Sequence, residues 1–195
     1  MRVEAPEEQT DFFDAKGVVE ALLGHLEITG VTYEPVAAPW YHPGRAAAVV
    51  RDGAVWGVVG EVHPRIADAW ELGGRRIYAV DLDLDALLAG IPEQVRYAPI
   101  TRYPARTQDL AVIVPDPVPA GRVAALIRET GGRILADLTL FDVYTGAPVP
   151  PGHRSLAYSL TFEAPDRTPT EEEVSKLVDK IARRLQREVG AQRRE

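Results

Sequence analysis

The chain has 195 residues, with 22 basic and 29 acidic side chains for a formal charge of -7, and no cysteine. That length gives one large domain or two small ones, and 46% hydrophobic with 26% charged residues is the make-up of a folded chain, not a disordered tail. The missing thiols exclude disulfides, thiolate zinc sites and cysteine nucleophiles, and the net negative charge argues against nucleic acid, whose phosphates call for Lys and Arg.

Met1-Arg2-Val3-Glu4 does not begin a signal peptide, and no apolar run approaches the ~20 residues of a membrane helix. A cytoplasmic chain without membrane contact is expected. The first clear element is helical: Val18, Val19, Leu22 and Leu23 recur at helical spacing and predict a helix over about 16–26. Asp11, Asp14 and Glu20 read as solvated acids near its start. Short strands follow at 30–34, 46–51, 55–61 and 76–83, and Asp52-Gly53 is a hairpin turn signal between the second and third. His42-Pro43 and His63-Pro64 each read as a strand end with a locally bonded imidazole. Glu61 beside His63 is weak support for a metal. One helix with several antiparallel strands makes this half α+β.

The run Asp81-Leu82-Asp83-Leu84-Asp85 leads through Pro92 to Tyr97-Ala98-Pro99 and Tyr103-Pro104, which reads as a stiff linker. Division at Val95/Arg96 exposes an asymmetry that the average hides. Residues 1–95 hold 7 basic and 16 acidic side chains, net -9; residues 96–195 hold 15 and 13, net +2. Two domains with separate roles are expected, 1–95 and 96–195.

In the second half, Leu110–Val114 is a buried strand stopped by Pro115. A helix with an apolar stripe of Val123, Leu126 and Ile127 follows and ends at Gly131-Gly132. A strand over about 134–144 and a Pro/Gly-rich loop over 146–152 come next. Leu156, Tyr158, Leu160 and Phe162 then alternate with Ser155, Ala157, Ser159 and Thr161, as on a sheet with helices on one side and an open, polar other side. The last helix is expected to be capped by Thr168, with Pro169 at its first position and Glu171 completing a capping box. Val174, Leu177, Val178, Ile181, Leu185 and Val189 form its buried stripe, and 191–194 can add a fourth strand. The order is β-α-β-β-α-β, the ferredoxin-like plan, which serves RNA binding, ligand sensing and some small hydrolases alike. No phosphate-cradling Gly-rich loop, catalytic triad or metal-ligand cluster favours a hydrolase.

The segments RYPARTQDLAVIV (102–114), LFDVYTG (140–146), PPGHRSLAYSLTF (150–162) and APDRTPTEEEV (164–174) resemble, in order and spacing, the ferredoxin-fold anticodon-binding domain that ends the beta subunit of bacterial phenylalanyl-tRNA synthetases. DFFDAKGVVEALL (11–23), HPGRAA (42–47) and GVVGEVHP (57–64) resemble the end of that subunit's catalytic-like module, which has a class II synthetase fold without an active site. The resemblance implies an incomplete class II synthetase-like antiparallel α+β module followed by a ferredoxin-like domain. It implies a chain that is non-catalytic alone and holds no cofactor, inside a ligase that charges phenylalanine onto tRNA(Phe) with ATP and magnesium. The implied partners are tRNA(Phe), the alpha subunit and the remainder of the beta subunit. The elements before Asp11 being absent, apolar surface on the first half is expected to be exposed or covered by a partner. A freestanding ferredoxin-like ligand-sensing or RNA-binding module is the alternative. Thr145, Thr107 and Gln108 stand where the family often carries basic residues, and Gln192-Arg193-Arg194 replaces a more apolar ending.

Anticodon recognition needs planes for stacking, hydrogen-bonding groups for base edges and positive charge for phosphates. The candidates are Tyr103 and Arg106 before the first strand of this half and Tyr144 at the end of the second. His153, Arg154 and Ser155 lead into the third, and Ser159 lies on its polar face. Asp109 and Asp142 read as structural acceptors, since carboxylates repel phosphate.

Overall fold

The computed structural model describes residues 9–94 and 103–194. The chain divides into two compact units, Met1–Tyr97 and Ala98–Glu195. The expected division at Val95/Arg96 and the linker residues Tyr97-Ala98-Pro99 lie outside the described residues.

The first unit opens with α1 (Phe12–His25), four residues earlier than the apolar spacing predicts. The reason is a capping box. The Asp11 carboxylate accepts from the Phe13 and Asp14 amides at 2.7 and 3.2 Å, and Asp14 accepts from the Asp11 amide at 2.6 Å. These acids satisfy amides that a helix start leaves without partners. The sheet runs β1 (Val31–Pro35), β2 (Tyr41–Arg51), β3 (Ala54–Val62) and β4 (Tyr78–Leu82), antiparallel and in that order. Asp52 (φ 51°) and Gly53 (φ 79°) make the expected tight hairpin, closed by the pair Arg51 and Ala54. Ala15, Val19 and Leu23 of α1 pack with Val49, Val59 and Leu87.

Two histidine expectations resolve differently. His63 caps a short helix, α2 (Pro64–Ala69), its Nδ1 accepting from the Arg65 amide at 3.2 Å. His42-Pro43 does not end a strand: it lies inside β2, where a register shift between Tyr41 and Ala46 absorbs it and Gly44 takes φ 88°. Glu61 is buried and forms an ion pair with the Arg45 guanidinium at 2.8 Å. The acidic run at 81–85, read as linker, instead ends β4 and starts α3 (Leu84–Gly90), with Asp83 capping the Ala86 amide at 3.0 Å. Phe13, Trp40, Trp70, Leu84 and Leu88 are more than half exposed, so the expected apolar surface of this unit is present.

The second unit has β5 (Arg106–Pro115), α4 (Ala120–Gly131), β6 (Leu135–Tyr144), β7 (His153–Phe162), α5 (Glu171–Val189) and β8 (Gln192–Arg193). The antiparallel sheet order is β6-β7-β5-β8, the ferredoxin-like arrangement with the two helices on one face. Leu110, Val112 and Val114 of β5 and Leu156, Tyr158, Leu160 and Phe162 of β7 point to that face. They meet Val123, Leu126 and Ile127 of α4 and Val174, Val178, Ile181 and Leu185 of α5. Each such side chain contributes roughly 1.5–3 kcal/mol by leaving water, so this layer fixes the sheet and, with it, which residues are left on the open side.

The start of α5 corrects the sequence reading. Thr170, not Thr168, is the cap, and Glu173, not Glu171, completes the box. The Thr170 hydroxyl accepts from the Glu173 amide at 3.2 Å, and the Glu173 carboxylate accepts from the Thr170 amide at 3.0 Å. The Thr-x-x-Glu pattern occurs twice, two residues apart. Two contacts accompany the second copy: the Pro169 carbonyl accepts from Arg106 Nε at 3.2 Å, and Arg167 grips Glu173 at 2.6 Å. The cap amide and Arg167 hold the Glu173 carboxyl below its usual value. No helix among the described residues is long and apolar enough to cross a membrane.

Candidate nucleic-acid interface

Residues directly opposite in an antiparallel pair share a face. The register therefore lays out the open side of the second unit's sheet in rows. Tyr144, Ser155, Ile113 and Gln192 form one row; Asp142, Ala157 and Ala111 the next; Thr139, Ser159 and Asp109 the third. Small side chains run down the middle. The floor is shallow, as a flat ligand laid on it would require.

Above the first row lies Arg194. Its amide donates to the Ala111 carbonyl at 2.9 Å, continuing β8 along β5. Arg193 faces the helix side, where it binds Asp179 at 2.9 Å, so Arg194 falls on the open side. Its guanidinium reaches across the sheet to Ser155 Oγ at 3.4 Å and stands 5.6 Å from the centre of the Tyr144 ring. The Tyr144 hydroxyl donates to the Ala147 carbonyl at 2.8 Å, which fixes the ring against its own loop. Ser155, on an otherwise open face, is only 3% exposed, with Arg194 against its hydroxyl. Ring, guanidinium and hydroxyl together form a platform with two stacking planes and several donors.

Of the residues singled out in the sequence, Tyr144, Ser155 and Ser159 share this face. His153 has the same parity and stands at the mouth of the β6–β7 loop, its Nδ1 3.2 Å from the Pro151 carbonyl. Tyr103 is 43% exposed just before β5. Two arginines are elsewhere. Arg106 pairs in register with buried Phe162; besides Pro169 it meets the Glu171 carboxylate at 3.7 Å, which fastens β5 to the start of α5. Arg154, expected to be exposed, is half-buried opposite Val114, with Nη2 donating to the Val118 carbonyl at 2.6 Å. Both guanidiniums brace the helix side of the sheet. Asp109 and Asp142, expected to be structural acceptors, are exposed and accept no side-chain hydrogen bond among the described residues. They are acceptors on the open face, beside the platform.

The sequence reading missed Arg194. The signal was there: a fourth strand beside β5 alternates faces, and the second of two adjacent arginines must fall opposite the first. No group of three or more His, Cys, Asp or Glu among the described residues is placed to hold a metal ion.

Residues 101–194 match the family of the ferredoxin-fold anticodon binding domain, and residues 2–84 match the phenylalanyl tRNA synthetase beta chain CLM domain. By both of its halves, the chain belongs to the phenylalanyl-tRNA synthetase beta-chain family. Curated members of that family are similar along almost the whole chain. A phenylalanine–tRNA ligase beta subunit of Moorella thermoacetica is 44% identical over 194 residues, covering 97% of this chain and 24% of the relative. One of Symbiobacterium thermophilum is 43% identical over 190 residues, covering 97% and 21%. One of Clostridium tetani is 36% identical over 187 residues, covering 95% and 24%. The chain thus spans about a quarter of the length of the beta subunits it matches. The anticodon-binding match coincides with the unit that carries the Tyr144–Arg194 platform.

Proposed function

We propose that the chain acts as the C-terminal portion of a phenylalanine–tRNA ligase beta subunit, and that its second unit binds the anticodon region of tRNA(Phe) on the open sheet face. The observation that carries this reading is the platform of Tyr144, Ser155 and Arg194, in a unit matched to an anticodon-binding domain. Unstacked loop bases bind to aromatic and guanidinium planes and are read along their edges by hydrogen bonds. Tyr144 and Arg194 offer the planes. Ser159 offers a hydroxyl, Ser155 holds the Arg194 guanidinium over the sheet, His153 stands at the edge of the face, and Tyr103 lies exposed just before β5. The carboxylates of Asp109 and Asp142 repel phosphate but accept from base amino groups, so this face suits bases better than backbone.

Arg106 and Arg154, proposed from the sequence as RNA contacts, act here by holding the strands that carry the platform. The first unit docks to the alpha subunit and to the remainder of the beta subunit, and its exposed Phe13, Trp40, Trp70, Leu84 and Leu88 support that role. Catalysis belongs to the assembled ligase: ATP and magnesium act there, and this chain, non-catalytic alone, offers them no metal-ligand cluster among its described residues. The place of action is the cytoplasm. The anticodon-domain match favours this reading over a ligand-sensing module.

The test is a binding titration of the chain against tRNA(Phe) and a copy with an altered anticodon. Tighter binding of the first, weakening with salt, is expected. Equal affinity for both refutes anticodon recognition.

A further inference from the structure

The solvent side of α5 carries charges that the helix does not need for itself. Lys176, Lys180, Arg183 and Arg187 follow at intervals of four, three and four residues, which sets them in one stripe along three turns. All four are exposed, on the side away from buried Val174, Val178, Ile181 and Leu185. Cations in a last turn favour the helix dipole, which accounts for Arg187 but not for Lys180 in mid-helix. Lys176 is paired with Glu172 at 2.6 Å, and Arg187 meets Glu188 only at 3.8 Å. Lys180 and Arg183 form no ion pair among the described residues.

The stripe borders a shallow depression of about 440 Å³ between α4 and α5, lined by Glu129, Thr130, Lys180, Arg183, Arg184 and Arg187. Arg184 is tied into its wall by Glu129 at 2.6 Å, Glu188 at 3.1 Å and Thr130 at 3.1 Å. Four cations therefore face one lining carboxylate, and no apolar side chain lines the depression. A protein partner would call for an apolar or aromatic centre with few lysines. A polyanion calls for what is present: projecting cations that outnumber the carboxylates beside them.

We propose that this stripe, centred on Lys180, Arg183 and Arg187, binds the phosphodiester backbone of RNA independently of sequence. It is a second contact, on the helix side of the unit, and it rests on the reading that this unit binds tRNA. Because the helices and the open face lie on opposite sides of one sheet, the backbone it takes lies outside the bases held by Tyr144 and Arg194.

The experiment uses the full chain and its Lys180→Gln/Arg183→Gln/Arg187→Gln variant. Affinity for tRNA(Phe) and for its anticodon-altered copy is followed from about 50 to 200 mM salt. Each neutralised phosphate contact contributes about 0.7–0.9 to the slope of log K against log salt, so loss of three lowers the slope by about 2.1–2.7. Affinity falls by the same factor for both RNAs, and their ratio stays as in the unsubstituted chain. An unchanged slope and affinity overturns the proposal, as does a changed ratio at constant slope. If the unsubstituted chain binds both RNAs equally and the variant still loses slope, the stripe stands and the anticodon reading fails. If it binds neither, both fail. Should the triple variant melt early, Lys180→Gln and Arg183→Gln measured singly are each expected to lose about 0.7–0.9 of slope, and no loss in either overturns the proposal.

Discussion

Replacing Tyr144 by alanine removes the stacking plane on which the proposed anticodon contact depends. Base–aromatic stacking is worth about 1–3 kcal/mol per base, so affinity for tRNA(Phe) should fall about 5- to 150-fold. The cost to folding is smaller. The ring is 39% exposed and lies outside the buried core, so its loss opens no cavity. What goes is the hydrogen bond to the Ala147 carbonyl, about 1 kcal/mol net, and the contact with Arg194, about 0.5–1 kcal/mol at an exposed site. Against a typical stability of about 5–15 kcal/mol the variant stays folded. Tyr144→Phe separates the two effects: it keeps the plane and loses only the bond to the loop, so its affinity stays near that of the unsubstituted chain. Fluorescence anisotropy with a labelled anticodon stem-loop gives the affinities, and urea titration gives the stabilities. The reasoning is refuted if Tyr144→Ala binds within twofold of the unsubstituted chain. It is also refuted if Tyr144→Phe loses as much as Tyr144→Ala.

The Arg194→Ala variant should lose about two- to fivefold in affinity, from the cation–π value alone, with little change in urea midpoint; a large loss of stability with unchanged binding counts against its place in the platform. Arg154→Ala should do the reverse: losing the bond to the Val118 carbonyl costs about 1–2 kcal/mol in a urea melt, while tRNA affinity at a temperature where the variant is folded stays unchanged. Glu173 has its carboxyl held below the usual 4.5, so its stabilisation is present above that pH and is lost as pH falls through the folded value. Urea titrations from pH 5 to 3 should show Glu173→Gln losing less stability than the unsubstituted chain. Burial pushes the Tyr158 phenol up to about 12, so the unfolded chain ionises first and stability falls between pH 10 and 12. Tyr158→Phe should flatten that fall, at a cost of about 1 kcal/mol at neutral pH for the lost bond to the Ala120 carbonyl.

The elements of the second unit were legible because their signals are local and strong. The alternation over 155–162 tells which side of β7 is buried, and Gly131-Gly132 marks the end of α4. Where two local signals competed, sequence could not choose. The two Thr-x-x-Glu patterns are told apart by Arg167, which grips Glu173, and by Arg106, which reaches the Pro169 carbonyl from 63 positions away. The same limit hid the site. Arg106 and Arg154 look like free cations along the sequence, yet the strand register turns both toward the helices. Arg194 looks like a departure from an apolar ending, yet β8 pairing lays it over Ser155 and beside Tyr144. In the first unit, α2 and α3 are too short to show periodicity. They are marked instead by their caps, His63 and Asp83, whose roles appear only once the backbone has turned.

The claim at the centre of this account is that the open sheet face of the second unit receives anticodon bases. NMR shift mapping tests it directly, with the labelled chain titrated by the anticodon stem-loop of tRNA(Phe). The account predicts that the largest shifts gather on Tyr144, Ser155, Ser159 and Arg194, with Asp109 and Asp142 beside them. Shifts confined to the helix side, or spread without focus while those residues stay still, would contradict it.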